Sequence, residues 1–314
     1  MSPPDKRIEF RIPISPTEKF FSLVRFYNFA LRRLDSPQYR DARLLLAVGD
    51  HCDLDAVRRE NQWSENFNIA WERVPDEISA EFHWAGTANW RFNIPSGDAE
   101  VIILSDADMA LLRDVDPMLM EFPLEGPAVR GHMAHLPPPV SKSSSALSGA
   151  DPKFWPWLFD LFDIPWPPVT YRYSMDADEA LPMSPAYFNL GFVAVNAKAL
   201  ALFASEIVET TRRVTVATDS LMRCQIAITI IAYRAGIDIR TLSAAYNAAN
   251  DLVHFSQNGL TADQMRVLHF LRLDEIDREE LQPRLIDNML SRPLTNPVNI
   301  ALQNLAREYR ESLK

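Results

Sequence analysis

The sequence of 314 residues predicts an α/β fold in which helices flank a mostly parallel central sheet. Strand-like and helix-like segments alternate along the chain, which is the pattern of such folds. Segment 101–104 (VIIL) is wholly apolar between acidic residues, as expected of a strand that is covered on both faces. The clearest helix lies near the C-terminal end, where Asn296 is a suitable N-cap and Pro297 suits the first helical position.

The spacing of apolar residues predicts the individual elements in chain order. Segments 8–14 (IEFRIPI) and 43–48 (RLLLAV) have the length and apolar content of strands. Segment 197–213 repeats apolar residues at helical spacing, and the denser segment 220–235 predicts a buried helix. The predicted strands are 8–14, 43–48, 68–74, 101–104, 192–195, 237–242 and 267–270. The predicted helices are 17–34, 78–92, 154–162, 197–213, 220–235 and the segment that begins at Pro297.

The composition argues against several classes of protein. The net charge of −10 is opposite to the basic surface of a nucleic-acid binder, so no nucleic-acid partner is expected. No apolar run approaches the roughly 18 residues that a transmembrane helix needs. The first residues lack the apolar core of a signal peptide, and the two cysteines, Cys52 and Cys224, exclude a disulfide scaffold. These features predict a cytoplasmic location and no transmembrane segment.

Residues 133–175 are predicted to form a lid-like insertion. Eight prolines lie between Pro137 and Pro168, and proline lacks the backbone donor and fixes φ. Neither a helix nor a strand can therefore run far through this segment, and one short helix is expected in it. Its tryptophans either offer aromatic faces to a ligand or anchor the segment to the core, and both possibilities stay open. These tryptophans are Trp155, Trp157 and Trp166.

The strand 101–104 leads directly into an acidic pair, Asp106 and Asp108. In an extended strand, both side chains would point to the same side, because the side-chain period is two. Two carboxylates held together repel each other unless a cation lies between them, and hard oxygen ligands suit Mg²⁺ or Mn²⁺. The alternative is a solvated acidic turn that caps the next segment. The pair alone does not decide between these interpretations, because short motifs often match by chance.

The longer phrase 99–117, AEVIILSDADMALLRDVDP, resembles the metal-binding region of GT-A fold glycosyltransferases. It is most similar to the glycogenin-like and lipopolysaccharide galactosyltransferase-like (family 8-type) group, retaining enzymes that use nucleotide sugars. The resemblance spans roughly residues 8–272. It implies a GT-A domain over 1–272 and a helical C-terminal extension over 273–314. Five further features match in order along the chain: Arg91, YFNLGF at 187–192, CQIA at 224–227, LSAAYN at 242–247 and VLHF at 267–270.

The resemblance implies roles for particular residues. Asp106, Asp108 and His269 would hold Mn²⁺ or Mg²⁺ on the diphosphate of a nucleotide-sugar donor, implied to be a UDP-hexose. The hexose would pass, with retention, to a hydroxyl of a glycan, a lipid-linked molecule or a protein. The residues implied to bind the donor are Ile14, Ser15, Asp50, Arg91, Asp106, Ala107, Asp108, Asn189, Gly191 and Arg272. The residues implied in catalysis are Gln225, which is nearest the reacting carbon, Asp219 and Arg91.

Two departures from the group's pattern support an alternative function. Cys224 occupies the place of the aspartate in the group's D-Q element, and Asp219 lies five residues earlier. The group's phosphate-binding lysine after the metal histidine is missing, so Arg272 or Arg278 would have to supply its charge. The alternative is a catalytically inactive GT-A-like protein that binds a nucleotide or a glycan. The acidic pair also faintly resembles the nucleophile motif of haloacid-dehalogenase-type phosphatases, but Ala110 stands where that motif has Thr or Val.

Several of these residues also have plain structural explanations. Ile14, Ser15 and Asp50 fit ordinary strand-to-helix turns equally well, and Arg91 fits the surface of a helix. The histidines at the start of the insertion, His132 and His135, could contact the acceptor or the donor, but they are predicted to be surface loop residues.

Overall fold

The computed structural model describes residues 6–140, 147–176, 178–273 and 275–314. Within these residues, seven strands form a central sheet and three short strands form a second one. The strands are β1 (Ile8–Ile14), β2 (Arg43–Val48), β3 (Ile69–Arg73), β4 (Val101–Ser105), β5 (Met109–Leu111), β6 (Ala128–Met133), β7 (Phe188–Asn196), β8 (Asp238–Thr241), β9 (Ala248–Ala249) and β10 (Val267–His269).

The α-helices cover the faces and ends of these sheets, and none of the described helices is long and apolar enough to cross a membrane. They are α1 (Glu18–Arg32), α2 (Pro37–Arg40), α3 (Leu54–Glu60), α4 (Asp76–Phe82), α5 (Trp84–Asn93), α6 (Asp116–Glu121), α7 (Phe154–Leu161), α8 (Ala197–Thr218), α9 (Arg223–Arg234), α10 (Leu252–Gln257), α11 (Ile286–Ser291) and α12 (Pro297–Ser312). Short 3₁₀ turns are formed by Gln62–Asn66, Ala244–Tyr246 and Arg278–Leu281.

The central sheet has the strand order β3–β2–β1–β4–β7–β6–β8. β7 runs antiparallel to β4 and β6, and the other neighbouring strands are parallel, so the predicted mostly parallel sheet is confirmed. The carboxyl ends of β1, β2, β4 and β6 therefore meet at one edge, which is where ligands bind in such sheets. The second sheet, β5–β10–β9, continues from this edge and pairs Met109 with His269.

Most predicted elements agree with the structure, and β1 and β2 agree to the residue. The predicted helix 78–92 is instead two helices, because His83 has a left-handed φ of 54° between α4 and α5. The sequence analysis did not predict β6, because polar residues interrupt its apolar pattern. One of them, Arg130, is buried and donates from Nη2 to Asp238 Oδ2 at 2.6 Å.

The two largest of the three hydrophobic cores among the described residues lie on opposite faces of the central sheet. β4 serves both, because alternate residues of a strand point to opposite faces: Ile103 belongs to the first core and Ile102 to the second. The C-terminal helix α12 shares the first core with α1, and the ring centroids of Tyr309 and Phe26 are 5.3 Å apart. Segment 273–314 is thus packed against the N-terminal part of the domain.

The proline-rich segment is packed into the second core through α7. Trp155 is 1% exposed, and its Nε1 donates to the hydroxyl of Tyr173 at 2.9 Å. Its ring centroid lies 5.1 Å from that of Tyr187, just before β7. Trp155 therefore anchors the segment, which supports the second of the two explanations for its tryptophans. Trp166, in contrast, is 42% exposed.

We expect Trp155→Ala to lower the free energy of unfolding by about 3–5 kcal/mol, the usual cost of emptying a buried aromatic site. Trp166→Ala is the matched control in the same segment and should cost much less, because Trp166 is already partly in solvent. Chemical denaturation of both variants measures the difference. Equal losses would show that Trp155 does not anchor the segment.

Candidate donor-binding site and metal centre

The acidic pair lies in the turn between β4, which ends at Ser105, and β5, which begins at Met109. The pair therefore follows strand β4, as expected, but its backbone is a turn and not an extended strand. The tight turn brings their carboxylates together nonetheless. One ligand atom from each, together with one from His269, lies within 4.8 Å of the other two. Among the described residues, this is the one group of three or more such side chains that converges so closely.

His269 reaches the acidic pair because β10 pairs antiparallel with β5. Its Nδ1 lies 2.8 Å from Asn247 Oδ1, and Asn247 Nδ2 donates in turn to Asn189 Oδ1 at 3.1 Å. Because an amide oxygen only accepts, Nδ1 carries a proton, and in the neutral ring Nε2 presents its lone pair. Nε2 lies 3.5 Å from Asp108 Oδ1 and is buried without a hydrogen-bond partner. This histidine is oriented as a metal ligand would be.

Gly191 on β7 leaves the space that the His269 ring occupies. A Cβ atom at this position would lie 2.7 Å from His269 Cε1 and 2.9 Å from Met109 Sδ. The backbone oxygen of Gly191 also accepts a hydrogen bond from Ser105 Oγ at 3.0 Å. The glycine of the FNLG phrase is thus required by close packing at the site.

Arg91 on α5 is buried, so the surface-helix explanation for it is wrong. Its Nη1 donates to the backbone oxygen of Ser105 at 3.0 Å and lies 3.6 Å from Asp106 Oδ1. Its own backbone oxygen accepts from Arg11, a buried residue of β1. The guanidinium is therefore fixed against the first carboxylate of the pair.

Arg278 is the arginine that contacts the second carboxylate. Its Nη1 lies 2.7 Å from Asp108 Oδ2, and its Nε donates to the backbone oxygen of Phe270 at 2.9 Å. Arg272, the other candidate, pairs instead with Asp251 at 2.9 Å. Of the two arginines, the structure therefore places Arg278 at the acidic pair.

The two carboxylates have different electrostatic surroundings. Burial raises the pKa of Asp106 above its usual range, and the charge of Asp108 adds to this effect, while Arg91 opposes it. Burial also acts to raise the pKa of Asp108, but His269 and Arg278 together outweigh it and hold that pKa below its usual range. A cation between the carboxylates would relieve the repulsion that Asp106 experiences.

A cavity of about 250 Å³ opens beside the acidic pair at the carboxyl ends of β1 and β4. It brings together five of the predicted donor-binding residues and Arg278. The sequence analysis did not predict three of the lining residues, which are Lys19, Trp84 and Thr87. They lie on α1, which follows β1, and on α5, which precedes β4, and helices at these places are expected to flank this edge of the sheet. The cavity is lined by Pro13, Ile14, Ser15, Lys19, Phe20, Leu23, Trp84, Thr87, Ala88, Asp106, Ala107, Asp108 and Arg278.

The other predicted residues lie outside this lining. Asn189 and Gly191 support His269, as described above. Asp50 is exposed in the turn after β2, and Asp219 is exposed at the C-terminal end of α8, where its φ is 46°. Gln225 is 8% exposed in the first turn of α9. Its neighbour Cys224 is buried close enough to Arg91 and Asp106 for their charges to act on its thiol.

One of the two histidines predicted to be surface loop residues is instead buried in a strand. His132 lies on β6 and is 5% exposed, and His135 is partly buried just beyond it. The prediction was wrong because no apolar pattern in the sequence indicates β6, which carries His132 into the protein.

Comparisons with known proteins give structural matches only. No protein-family model and no curated protein matches the sequence. The apo structure of the bifunctional glycosyltransferase WbbM superposes with a TM-score of 0.56 at 13% identity, covering 92% of this chain and 51% of that one. The chain therefore spans about half the length of WbbM.

Two further glycosyltransferase structures match with lower scores. Apo mouse xyloside xylosyltransferase 1 has 13% identity and a TM-score of 0.48, covering 85% of this chain and 97% of that one. Apo GlyE from Streptococcus pneumoniae has 11% identity and a TM-score of 0.47, covering 98% and 64%. The likeness to WbbM concerns the fold, since identity is low. Together with the strand order and the acidic turn after β4, it shows that the chain has the GT-A type α/β fold of glycosyltransferases.

Proposed function

We propose that the protein is a metal-dependent glycosyltransferase that moves a hexose from a nucleotide diphosphate sugar, UDP-linked, to an acceptor hydroxyl. The observation that carries the proposal is the convergence of Asp106, Asp108 and His269 beside the cavity at the carboxyl ends of β1 and β4. A fold of this type binds ligands at that edge. The GT-A type fold supports the same reaction class.

The chemistry of the three side chains fits a divalent cation. Two carboxylates are the hard ligands that Mg²⁺ and Mn²⁺ prefer, and the unpartnered Nε2 of His269 favours Mn²⁺, which accepts imidazole more readily. When bound, the cation supplies charge neutralisation to the diphosphate leaving group. Asn247 and Asn189 keep the His269 lone pair turned toward the acidic pair.

The chain's own residues have distinct tasks in this proposal. Arg91 fixes Asp106 from the buried side, and its charge opposes the rise that burial causes in the pKa of this carboxyl group. Arg278 and Lys19 bring positive charge to the cavity wall, where the phosphates of the donor would lie. Ile14 and Phe20 provide an apolar wall for the base. Gln225 and Asp219 stay candidates for contacts with the transferred sugar, and retention rests on the family resemblance alone.

The second candidate function is binding of a nucleotide or glycan without catalysis, and Cys224 favours it. Burial raises the pKa of the Cys224 thiol to about 12, so a neutral thiol stands where the resembling enzymes carry an aspartate. Incubation with a panel of nucleotide sugars and Mn²⁺ separates the two candidates. A transferase releases nucleoside diphosphate from at least one donor, whereas a binding protein releases none.

We expect UDP and Mn²⁺ to bind cooperatively, because the cation would be held between the carboxylates and the diphosphate. Together, at about 100 times the apparent Kd, they should add about 2.7 kcal/mol to the stability of the folded state. That corresponds to a rise of about 5 °C in the melting temperature, measured by thermal denaturation. Asp106→Ala should abolish the joint rise. The proposal fails if UDP with Mn²⁺ gives no more than either alone and no other nucleotide does better.

A further inference from the structure

A separate cavity lies at the same edge of the central sheet as the donor cavity, on the other side of β7. It occupies about 520 Å³ at the carboxyl ends of β6 and β8, where His132 and Thr241 line it. Because β8 is parallel to β6, both strand ends face the ligand-binding edge. The volume is within the usual range of about 300–1,000 Å³ for ligand pockets. Binding of the donor and the metal, as proposed, gives this cavity no task.

The last residues of the proline-rich segment form the outer wall of this cavity and are bonded to the chain beyond β6. The backbone N–H of Ser174 donates to the backbone oxygen of Ala134 at 3.0 Å. The backbone N–H of Met175 donates to that of His135 at 3.1 Å. Asn258, just after α10, donates from Nδ2 to the backbone oxygen of Ser174 at 3.0 Å. The wall is therefore held in place from two sides.

This wall contains a buried carboxylate with an unused oxygen. The side chain of Asp176 is 3% exposed, and its Oδ1 accepts from the backbone N–H groups of Ala180 and Leu181 at 3.0 and 3.2 Å. Its Oδ2 is buried with no hydrogen-bond partner among the described residues. Arg172 Nη1 is 3.7 Å away, which is too far for a hydrogen bond. Buried polar atoms are normally paired, so Oδ2 lacks a donor that a ligand in the cavity can supply.

Other lining residues suit a ligand that carries many hydroxyl groups. Tyr171 offers a half-buried aromatic ring, and the C–H face of a pyranose packs against such a surface. Thr241 and Gln257 are exposed polar residues of the lining. Their side chains both donate and accept hydrogen bonds, as sugar hydroxyls do. The lining therefore combines an apolar platform with groups that pair with hydroxyls.

The charge of the lining disfavours acidic sugars. Its charged side chains are one cation, Arg172, and two anions, Asp176 and Glu179. Arg172 Nη2 donates to Glu179 Oε2 at 2.8 Å, which leaves the Asp176 carboxylate as the unbalanced charge. Burial lowers the pKa of His132 to about 4, so this ring is uncharged at neutral pH. A neutral glycan is therefore favoured over one that carries carboxylate or phosphate groups.

The cavity is close enough to the candidate metal centre to hold one end of a molecule whose other end reacts there. The ring of His135 is near both sites, since its centroid is 6.4 Å from that of His132 and 6.2 Å from that of His269. Two linked pyranose rings can span these two steps. His135 Nε2 is buried with no hydrogen-bond partner in the described part of the chain, so it can pair with a sugar hydroxyl along this path.

We infer that this cavity binds the inner sugar of a neutral glycan acceptor, at least a disaccharide, whose terminal sugar lies at the candidate metal centre. The inference rests on the proposed transfer reaction and adds the chemical class of the acceptor. Asp176 Oδ2 accepts hydrogen bonds from the sugar hydroxyls, and Tyr171 packs against the face of the ring. The inference concerns the sugars next to the accepting hydroxyl, whatever molecule carries them.

The test measures the binding of free oligosaccharides to the full chain by saturation-transfer difference NMR and calorimetry, without donor or metal. The probes are di- to tetrasaccharides of glucose, galactose, mannose and N-acetylglucosamine, and galacturonic acid oligomers of the same length serve as the acidic comparison. At least one neutral probe should bind, and the acidic oligomers should bind at least about tenfold more weakly than that probe, because their charge repels the Asp176 carboxylate.

Asp176→Asn should weaken binding of the best neutral probe about tenfold to a hundredfold, the usual loss when a hydrogen bond to a charged group is removed. Asp178→Asn is the matched control, because Asp178 is exposed and does not line the cavity, and it should change the affinity by less than about twofold. Thr241→Trp tests the cavity from the opposite wall. Thr241 is exposed, so the larger side chain should block the cavity and abolish binding without lowering the melting temperature.

The inference is overturned if no neutral probe binds, or if the galacturonic acid oligomers bind as tightly as the neutral probes. Equal affinity of Asp176→Asn and Asp178→Asn for the best probe would also overturn it. Hexose transfer to a serine-containing peptide, with no binding of any oligosaccharide, would overturn the inference and leave the proposed function standing. Cooperative binding of UDP and Mn²⁺ does not depend on these results, so the proposed function is tested separately.

Discussion

Asp108→Asn is expected to reduce the turnover of the best donor in the nucleotide-sugar panel at least about a hundredfold. The substitution keeps the size of the side chain and removes the anion that faces both His269 and Arg278. Charge stabilisation by a bound metal is worth several kcal/mol, and each 1.36 kcal/mol corresponds to about tenfold in rate. The fold should stay intact, because an asparagine side chain has the same shape and fits the turn between β4 and β5. Steady-state kinetics at saturating Mn²⁺ measures the loss.

The control for this variant is Asp114→Asn. Asp114 follows β5 and pairs with Arg266 at 3.2 Å; its side chain is half-exposed and does not line the donor cavity. Its replacement should leave turnover within about twofold of the unaltered protein. Near-normal turnover in Asp108→Asn, with circular dichroism unchanged, would show that the acidic pair is a solvated turn and that the metal centre is elsewhere or absent.

Gly191→Ala is expected to have the next largest effect, without touching a charged group. The new methyl group would lie 2.7 Å from His269 Cε1, closer than real Cβ contacts allow. Met109 can move its tip, but the His269 ring is fixed by Asn247, so the ring must leave its position. A displacement of about 1 Å at a reacting site can cost a hundredfold in rate, and we expect a loss of that order. Overpacking should also cost about 1–3 kcal/mol of stability.

Gly126→Ala is the matched control, since a Cβ atom there meets nothing within 4 Å. Its effect on stability should stay within about 0.5 kcal/mol, and its turnover should be unchanged. The measurement for both variants is Mn²⁺ affinity in the presence of UDP, by calorimetry, alongside turnover. If Gly191→Ala binds Mn²⁺ as tightly as the unaltered protein, His269 is not a ligand, whatever the kinetics show.

The elements that the sequence predicts best are those with a local physical cause. The period of two and the apolar content define β1 and β2 without reference to the rest of the chain. The N-cap bond from Val298 to the Asn296 side chain, at 2.9 Å, starts α12 where it was expected. The acidic pair could be found in the same way, because it follows a fully apolar strand whose carboxyl end must face the ligand-binding edge.

Only the tertiary structure shows which residues, distant in the sequence, contact the acidic pair and the other locally predicted elements. Two arginines were equivalent in the sequence, and only the course of the chain after β10 shows that Arg278 contacts Asp108 while Arg272 turns to Asp251. Trp155 could have faced a ligand or the core, and the packing of α7 places it in the core.

The positions of the histidines could not be predicted from local sequence patterns either. β6 has too few consecutive apolar residues to be recognised, and its place in the sheet depends on pairing with β7 and β8, which lie far along the chain. Periodicity reports which face of a strand is buried, but it carries no information on which strands are neighbours. The fold class and the acidic half of the candidate metal centre could therefore be predicted from local patterns. His269 could be assigned to that site only through the family resemblance; the pairing of β10 with β5 brings it there, and the pairing of β6 with β7 and β8 buries His132.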